Sequence, residues 1–251
     1  MQEIYVDDIG KGFPIVLVHG YLGSSEMWSL QKEYLSKNFR VIAPALPGFG
    51  ESFKLKSLKS INEMAKSVLN CLENKKIDSF HLVGHSMGGM IVQEMVKISP
   101  EKIRKLICFA TGSIGDIPDR FESLNSSIKI LKKDGIKQTV KRIPPKWFVE
   151  GNRAKNYYLC ENAVKDITEE TAYNALNAMK SWNGFDNLKN IKKQTLIIWG
   201  DKDVSYNFEQ INILNKNIPN SKLEIFEGCC HNVHLELPQK FNDKVKIFLN
   251  E

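Results

Sequence analysis

Six short apolar runs punctuate the chain at Ile15–His19, Arg40–Ala43, Phe80–Val83, Leu106–Phe109, Leu196–Trp199 and Leu223–Phe226. Runs of this length, rich in β-branched residues and lacking strict alternation, read as fully buried strands. Most are separated by stretches of helical period. The clearest, Ile61, Met64, Ala65, Val68, Leu69 and Leu72, opens after Ser60 with Glu63 three residues on, the pattern of a capping box. Strands alternating with amphipathic helices predict an α/β protein built on a mostly parallel, doubly wound sheet. Ahead of the first run, Ile4-Tyr5-Val6 and the glycines Gly10 and Gly12 predict an antiparallel hairpin at the sheet edge.

The rhythm fails once. Between residues 112 and 190 no convincing strand occurs, while helical spacing does, at Phe121, Leu124, Ile128 and Leu131, and again after Thr168, where Glu169 and Glu170 occupy a first turn followed by Ala172, Ala175, Leu176 and Met179. Pro144-Pro145 separates two of these helices. The expected organisation is therefore a core made of residues 1–111 and 191–251, interrupted by a helical cap at 112–190. The chain closes on a helix opened by Pro238, with Phe241, Val245, Phe248 and Leu249 on one face.

Composition narrows the class without changing it. Of 251 residues, 42% are hydrophobic and 25% charged, ordinary for a globular protein with a sizeable core. The net charge of +6 comes from 35 Lys and Arg against 29 Asp and Glu, but the basic residues are scattered in pairs such as Lys75-Lys76 and Lys132-Lys133. No basic stripe with interleaved aromatics is present, so no nucleic-acid partner is expected. No apolar run is long enough for a bilayer, so no membrane partner is expected either. An acidic, leaderless start and five cysteines without framework spacing lead to the expectation of reduced thiols in a cytoplasmic protein. Cys229, Cys230, His231 and His234 form the one cluster of metal-type residues and have no second cluster behind them, so neither a metal nor another cofactor is expected.

The sharpest chemical signal is Gly84-His85-Ser86-Met87-Gly88, placed directly after a strand and before the helical run Met90, Ile91, Met95 and Ile98. A serine on so tight a strand-to-helix turn is exposed above the sheet, and it needs glycines two residues either side because side chains there would collide. The Met87 N–H then opens a helix and can receive a developing oxyanion. A second donor is expected from the loop after the first run, His19-Gly20-Tyr21-Leu22-Gly23, where Gly20 permits close approach and the Tyr21 N–H is the candidate; His19 reads as a structural residue of that loop. Serine needs a base and an acid that orients it. Two histidines, His231 and His234, and two aspartates, Asp201 and Asp203, stand in the loops after the last two runs. Loop position favours His231 and Asp203, because Asp201 falls at the strand end and His234 already packs toward the Pro238 helix.

These motifs, with Ala43-Pro44-Ala45-Leu46-Pro47-Gly48-Phe49-Gly50-Glu51-Ser52 and Trp199-Gly200-Asp201-Lys202-Asp203, resemble the α/β-hydrolase superfamily in order and over nearly the whole chain. The resemblance implies Ser86 as nucleophile, Asp203 as acid, His231 as base, Tyr21 and Met87 as the oxyanion hole and residues 112–190 as a lid. In lid and length the chain is similar to small esterases and lactonases of the 3-oxoadipate enol-lactonase type. It departs from the family at Ala45, where aspartate is usual, and at Gln194, where proline is usual. The lid aromatics Trp147, Phe148 and Trp182 either line an apolar acyl pocket or form the lid's own core. The implied activity is hydrolysis of a small-molecule carboxylic ester or lactone through an acyl-enzyme. The alternatives are a carbon–carbon bond hydrolase with the same triad and a lactone-binding receptor on this scaffold.

Overall fold

A computed structural model of the chain describes residues 3–118 and 120–251. Seven strands form one sheet: β1 (Val6–Ile9), β2 (Pro14–Val18), β3 (Arg40–Pro44), β4 (Phe80–His85), β5 (Ile103–Phe109), β6 (Thr195–Gly200) and β7 (Ser221–Phe226), in the spatial order β1-β3-β2-β4-β5-β6-β7. Every pairing is parallel except that of β1 with β3. All six apolar runs lie in strands. The expected hairpin does not form: β1 pairs with β3, from Val6 opposite Pro44 to Ile9 opposite Val41, and not with β2. Burial explains the difference. Ile15 to Val18 are wholly buried and need a strand on both sides, which β3 and β4 supply, whereas β1 is half exposed and suits an edge. The chain turns between them at Gly10, at φ +82°, where an added Cβ would lie 2.3 Å from the Phe39 carbonyl oxygen.

The helices are α1 (Ser29–Leu35), α2 (Ile61–Asn74), α3 (Met87–Ile98), α4 (Leu124–Arg142), α5 (Tyr158–Ala163), α6 (Glu169–Ser181), α7 (Phe208–Asn217), α8 (Val233–Glu236) and α9 (Pro238–Asn250). Ser60 and Glu63 close the capping box on α2, and Thr168 caps α6. Helix α4 begins only at Leu124, because the Ser123 hydroxyl accepts from the Ser126 N–H and ends the non-helical approach that contains Phe121. It is broken at Gly135, whose φ of 75° no right-handed helix contains.

Alternation along the strands divides the core in two. Val16 and Val18 of β2 face α2, α3 and the helical insertion, while Ile15 and Leu17 face Trp28, Leu35 and the apolar stripe of α9. Each fully buried side chain of this kind contributes about 1.5–3 kcal/mol by transfer from water. Helices α4, α5 and α6 all fall between β5 and β6. Both ends of this insertion leave the sheet side by side, joined by a single antiparallel bridge between Ile114 and Asn183 and by the bonds Gly115 N–H to Trp182 O (3.0 Å) and Gly184 N–H to Ser113 O (2.8 Å).

Candidate active site

Ser86 sits between β4 and α3 at φ 56°, ψ −117°, a region few non-glycine residues occupy and one that costs about 1–3 kcal/mol. The surrounding structure holds it there. Ser86 N–H donates to Phe109 O (2.9 Å), and the Ser86 carbonyl accepts from Gly89 N–H and from Thr111 Oγ1, both at 2.8 Å. The glycine requirement is steric. A Cβ on Gly84 would come 2.3 Å from Gly88 O, and one on Gly88 would come 2.2 Å from Val18 O.

A Cβ on Gly20 would meet Ser86 Cβ at 3.0 Å, so the Gly20-Tyr21 backbone runs directly beside the serine. His19 pins this loop. Its Nε2 accepts from Leu46 N–H at 3.0 Å, which fixes the tautomer, and its Nδ1–H donates to Gly20 O at 2.9 Å. Burial holds the imidazole down at about 4, consistent with a neutral structural role. The same bond anchors the loop containing Ala45, whose own N–H donates to Tyr5 O; the missing aspartate leaves that backbone tied at both positions. Met87 is the first residue of α3, where an N–H lacks an intrahelical acceptor, and among the described residues neither it nor the Tyr21 N–H has a partner.

The loops after β6 and β7 bring Asp203 and His231 together. His231 Nδ1–H donates to Asp203 Oδ2 at 2.8 Å, with both side chains almost wholly buried. The other carboxylate oxygen accepts from Ser205 N–H (2.7 Å) and Tyr206 N–H (3.3 Å), so the acid is held from two sides. His231 Nε2 is thereby left as the acceptor nitrogen. It makes no direct hydrogen bond to Ser86 Oγ among the described residues. Tyr206 covers the base: its ring stacks on His231 at 10° and 5.9 Å.

The competing pair goes elsewhere. Asp201 accepts from Gly228 N–H at 2.6 Å and pairs with Lys202, closing the turn between the strand ends. His234 is packed among Trp28, His85, Phe109 and Phe241, and neither of its ring nitrogens has a partner among the described residues. Burial, with His231 nearby, drives it down to about 3. Cys230 Sγ lies 3.2 Å from the carbonyls of Lys146 and Lys202, and among the described residues no three His, Cys, Asp or Glu side chains converge on a metal position. Nor is any helix among them long and apolar enough to cross a membrane.

The insertion touches the site at Trp147, whose ring is 5.8 Å from that of His231 and whose carbonyl accepts from Asn232 N–H. Glu236 ties the two segments further, accepting from Val149 N–H (2.7 Å) and Cys230 N–H (2.6 Å). Phe148 packs on Tyr157 inside the insertion's own core. Trp182 is not brought to the triad. Its Nε1–H donates to Glu94 of α3, eight residues and about 12 Å along the helix from Ser86. Tyr206 joins the site, and so does His85 of the serine turn, which lies under His231 at 4.7 Å with its Nε2–H donating to the His231 carbonyl. The one signal for Tyr206 is its place three residues after Asp203.

A model of the alpha/beta hydrolase fold matches residues 14–134, which hold the loop after β2, the Ser86 turn and the start of the insertion. The chain has the α/β-hydrolase fold. Among solved structures it is similar to an esterase from Exiguobacterium antarcticum, 25% identical with a TM-score of 0.88, covering 99% of this chain and 96% of that one. It is also similar to the enol-lactonase from Burkholderia xenovorans LB400, at 20% identity and a TM-score of 0.89, over 99% and 96% of the two chains. Among curated relatives, the dihydrolipoyllysine-residue acetyltransferase component of the acetoin cleaving system of Pseudomonas putida is 24% identical over 242 residues. That match takes in 96% of this chain but 64% of the relative's length.

Proposed function

We propose that this hydrolase-fold protein cleaves a carboxylic ester or lactone through an acyl-enzyme on Ser86, His231 and Asp203. The observation that carries the reading is the buried 2.8 Å contact of His231 with Asp203 in the loops after β7 and β6, in a chain whose β4 ends on a serine held at φ 56°. Asp203 keeps the proton on Nδ1, so Nε2 removes the Ser86 proton as Oγ attacks the substrate carbonyl. Negative charge then gathers on the former carbonyl oxygen. The free N–H groups of Tyr21 and Met87, backed by the dipole of α3, stabilise it without reorganising. His231 returns its proton to the departing alkoxide; water, activated by the same nitrogen, then releases the acid. Residues 112–190 act as the cap, with Trp147 as the wall beside His231 and Phe148 packed on Tyr157 in the cap's own core. The esterase and enol-lactonase likenesses support the ester class.

The test is intact-mass labelling with a fluorophosphonate, followed by a panel of p-nitrophenyl esters, lactones and a ring-fission dienone. One adduct in the parent and none in Ser86→Ala, with many turnovers on an ester or lactone, is the expected result. Labelling elsewhere, turnover on the dienone alone, or a single turnover per chain on the lactone would overturn it.

A further inference from the structure

A pocket of about 550 Å³ opens at the end of the sheet opposite Ser86, between the first residues of β4 and β5, the approach to β6 and the last residues of α9. Its wall residue His81 and Ser86 stand at the two ends of β4, so five residues at about 3.3 Å each separate pocket and serine by about 17 Å. The proposed mechanism uses none of it. Four cationic side chains line it, Arg104 and Lys105 from β5 and Lys192 and Lys193 from the segment before β6. Leu106 N–H donates to Gln194 O at 3.0 Å, which sets the two pairs side by side. None of the four makes an ion pair among the described residues. The one acidic side chain on the wall, Glu251, is taken by Lys222 at 2.8 Å. Two of the lining groups are also drawn out of water. Lys105 is 7% exposed, with Nζ donating to Phe248 O at 2.8 Å, and His81 is 5% exposed, with no partner for Nδ1 among the described residues. The His81 ring lies 4.7 Å from that of Phe13, which leaves 40% of its own surface open. Burial, then the charges of Lys105 and Arg104, hold His81 down at about 4, and burial lowers Lys105 as well. Like charges gathered in a half-dry pocket cost free energy that a bound anion would offset.

We propose that this pocket binds a nucleoside triphosphate, with Arg104, Lys105, Lys192 and Lys193 around the phosphates and the open ring of Phe13 as the platform for the base. Four cations against one spent carboxylate suit a ligand with several negative charges, and an aromatic face beside them suits a flat ring. The concave shape and the volume, within the range of small-molecule sites, favour a soluble ligand over an extended polymer or a lipid surface. The site stands whether or not Ser86 turns over an ester.

Calorimetric titration of the full chain with metal-free ATP, inorganic tripolyphosphate and adenosine tests this. ATP is expected to bind at one site, more weakly as salt is raised, and adenosine not at all. Tripolyphosphate should bind about tenfold more weakly than ATP, the scale of one base stacked on an aromatic ring, and Phe13→Ala should abolish that difference. The double variant Arg104→Gln/Lys193→Gln should weaken ATP by about a hundredfold, the range of two charge-assisted contacts, while Lys66→Gln on α2 changes nothing. The melting temperature of each ligand-free variant separates lost binding from lost folding. Location is read by NMR: ATP should shift the ring protons of His81 and not those of His19. Absence of ATP binding, ATP binding that survives Arg104→Gln/Lys193→Gln, or tripolyphosphate binding as tight as ATP and indifferent to Phe13→Ala overturns the nucleotide site.

Discussion

His231 and His234 stand three residues apart, and both are buried, yet they meet opposite surroundings. His231 has a carboxylate on one ring nitrogen and an aromatic face on each side; His234 has aromatic rings on every side and no partner for either nitrogen among the described residues. Their acidic counterparts differ in the same sense. Asp203 is enclosed and bound through both oxygens, whereas Asp201 is spent on a turn and a lysine near the surface. The contrast teaches that a histidine becomes a base through the group that fixes its tautomer. Burial alone only makes it a neutral ring.

The widest gap in that contrast should appear in turnover. Ser86→Ala removes the covalent route and is expected to lower kcat on an ester by roughly 10⁶, the scale seen when a triad serine is deleted. His231→Gln and Asp203→Asn should each cost about 10³-fold or more, while His234→Gln and Asp201→Asn stay within about tenfold. Steady-state kinetics on all five variants checks the ordering, and a crippled Asp201→Asn beside a near-normal Asp203→Asn would reverse the assignment.

Stability should move the other way. His19 and His81 are held at about 4 and His234 at about 3, against about 6.5 in an unfolded chain. Between those limits the unfolded state binds more protons, so stability is full above about pH 6.5 and falls as pH drops toward 4. Each depressed unit corresponds to about 1.4 kcal/mol, so these sites together are expected to cost several kcal/mol by pH 4. Melting temperature measured from pH 8 to pH 4 tests this, and a flat profile would contradict it. His234→Phe, which keeps a ring in the aromatic cage but cannot be protonated, should lessen the slope.

A smaller effect is expected at the elbow. Gly84→Ala forces a methyl group against the Gly88 carbonyl and Val92, a backbone clash that cannot be relieved by a rotamer change. A loss of about 1–3 kcal/mol in denaturant unfolding is expected.

The legible parts of the molecule were those decided by neighbours in sequence. Strand burial, the Ser60 and Thr168 caps, the Ser86 turn and the Pro238 helix all follow from residues within a few positions of one another. What stayed hidden depends on distant packing. The edge strand reads as half of a hairpin because its pairing with β3, more than thirty residues on, leaves no mark in its own composition. Aromatic content likewise says nothing of direction: the Trp182 indole is turned by Glu94. Tyr206 reaches its place on the His231 ring only when the loop after β6 folds against the loop after β7.

The bridge between Ile114 and Asn183 has a consequence for how such a protein can be remade. Strands paired in this way hold opposite Cα atoms about 4.5–5.5 Å apart, a gap a tight turn can span. A segment of different length exchanged for 115–182 at this doorway would leave the strand registers alone but would have to replace the bonds that the insertion makes to Asn232 and Glu236. Its recipient would inherit the chemistry of the sheet while acquiring a different clientele.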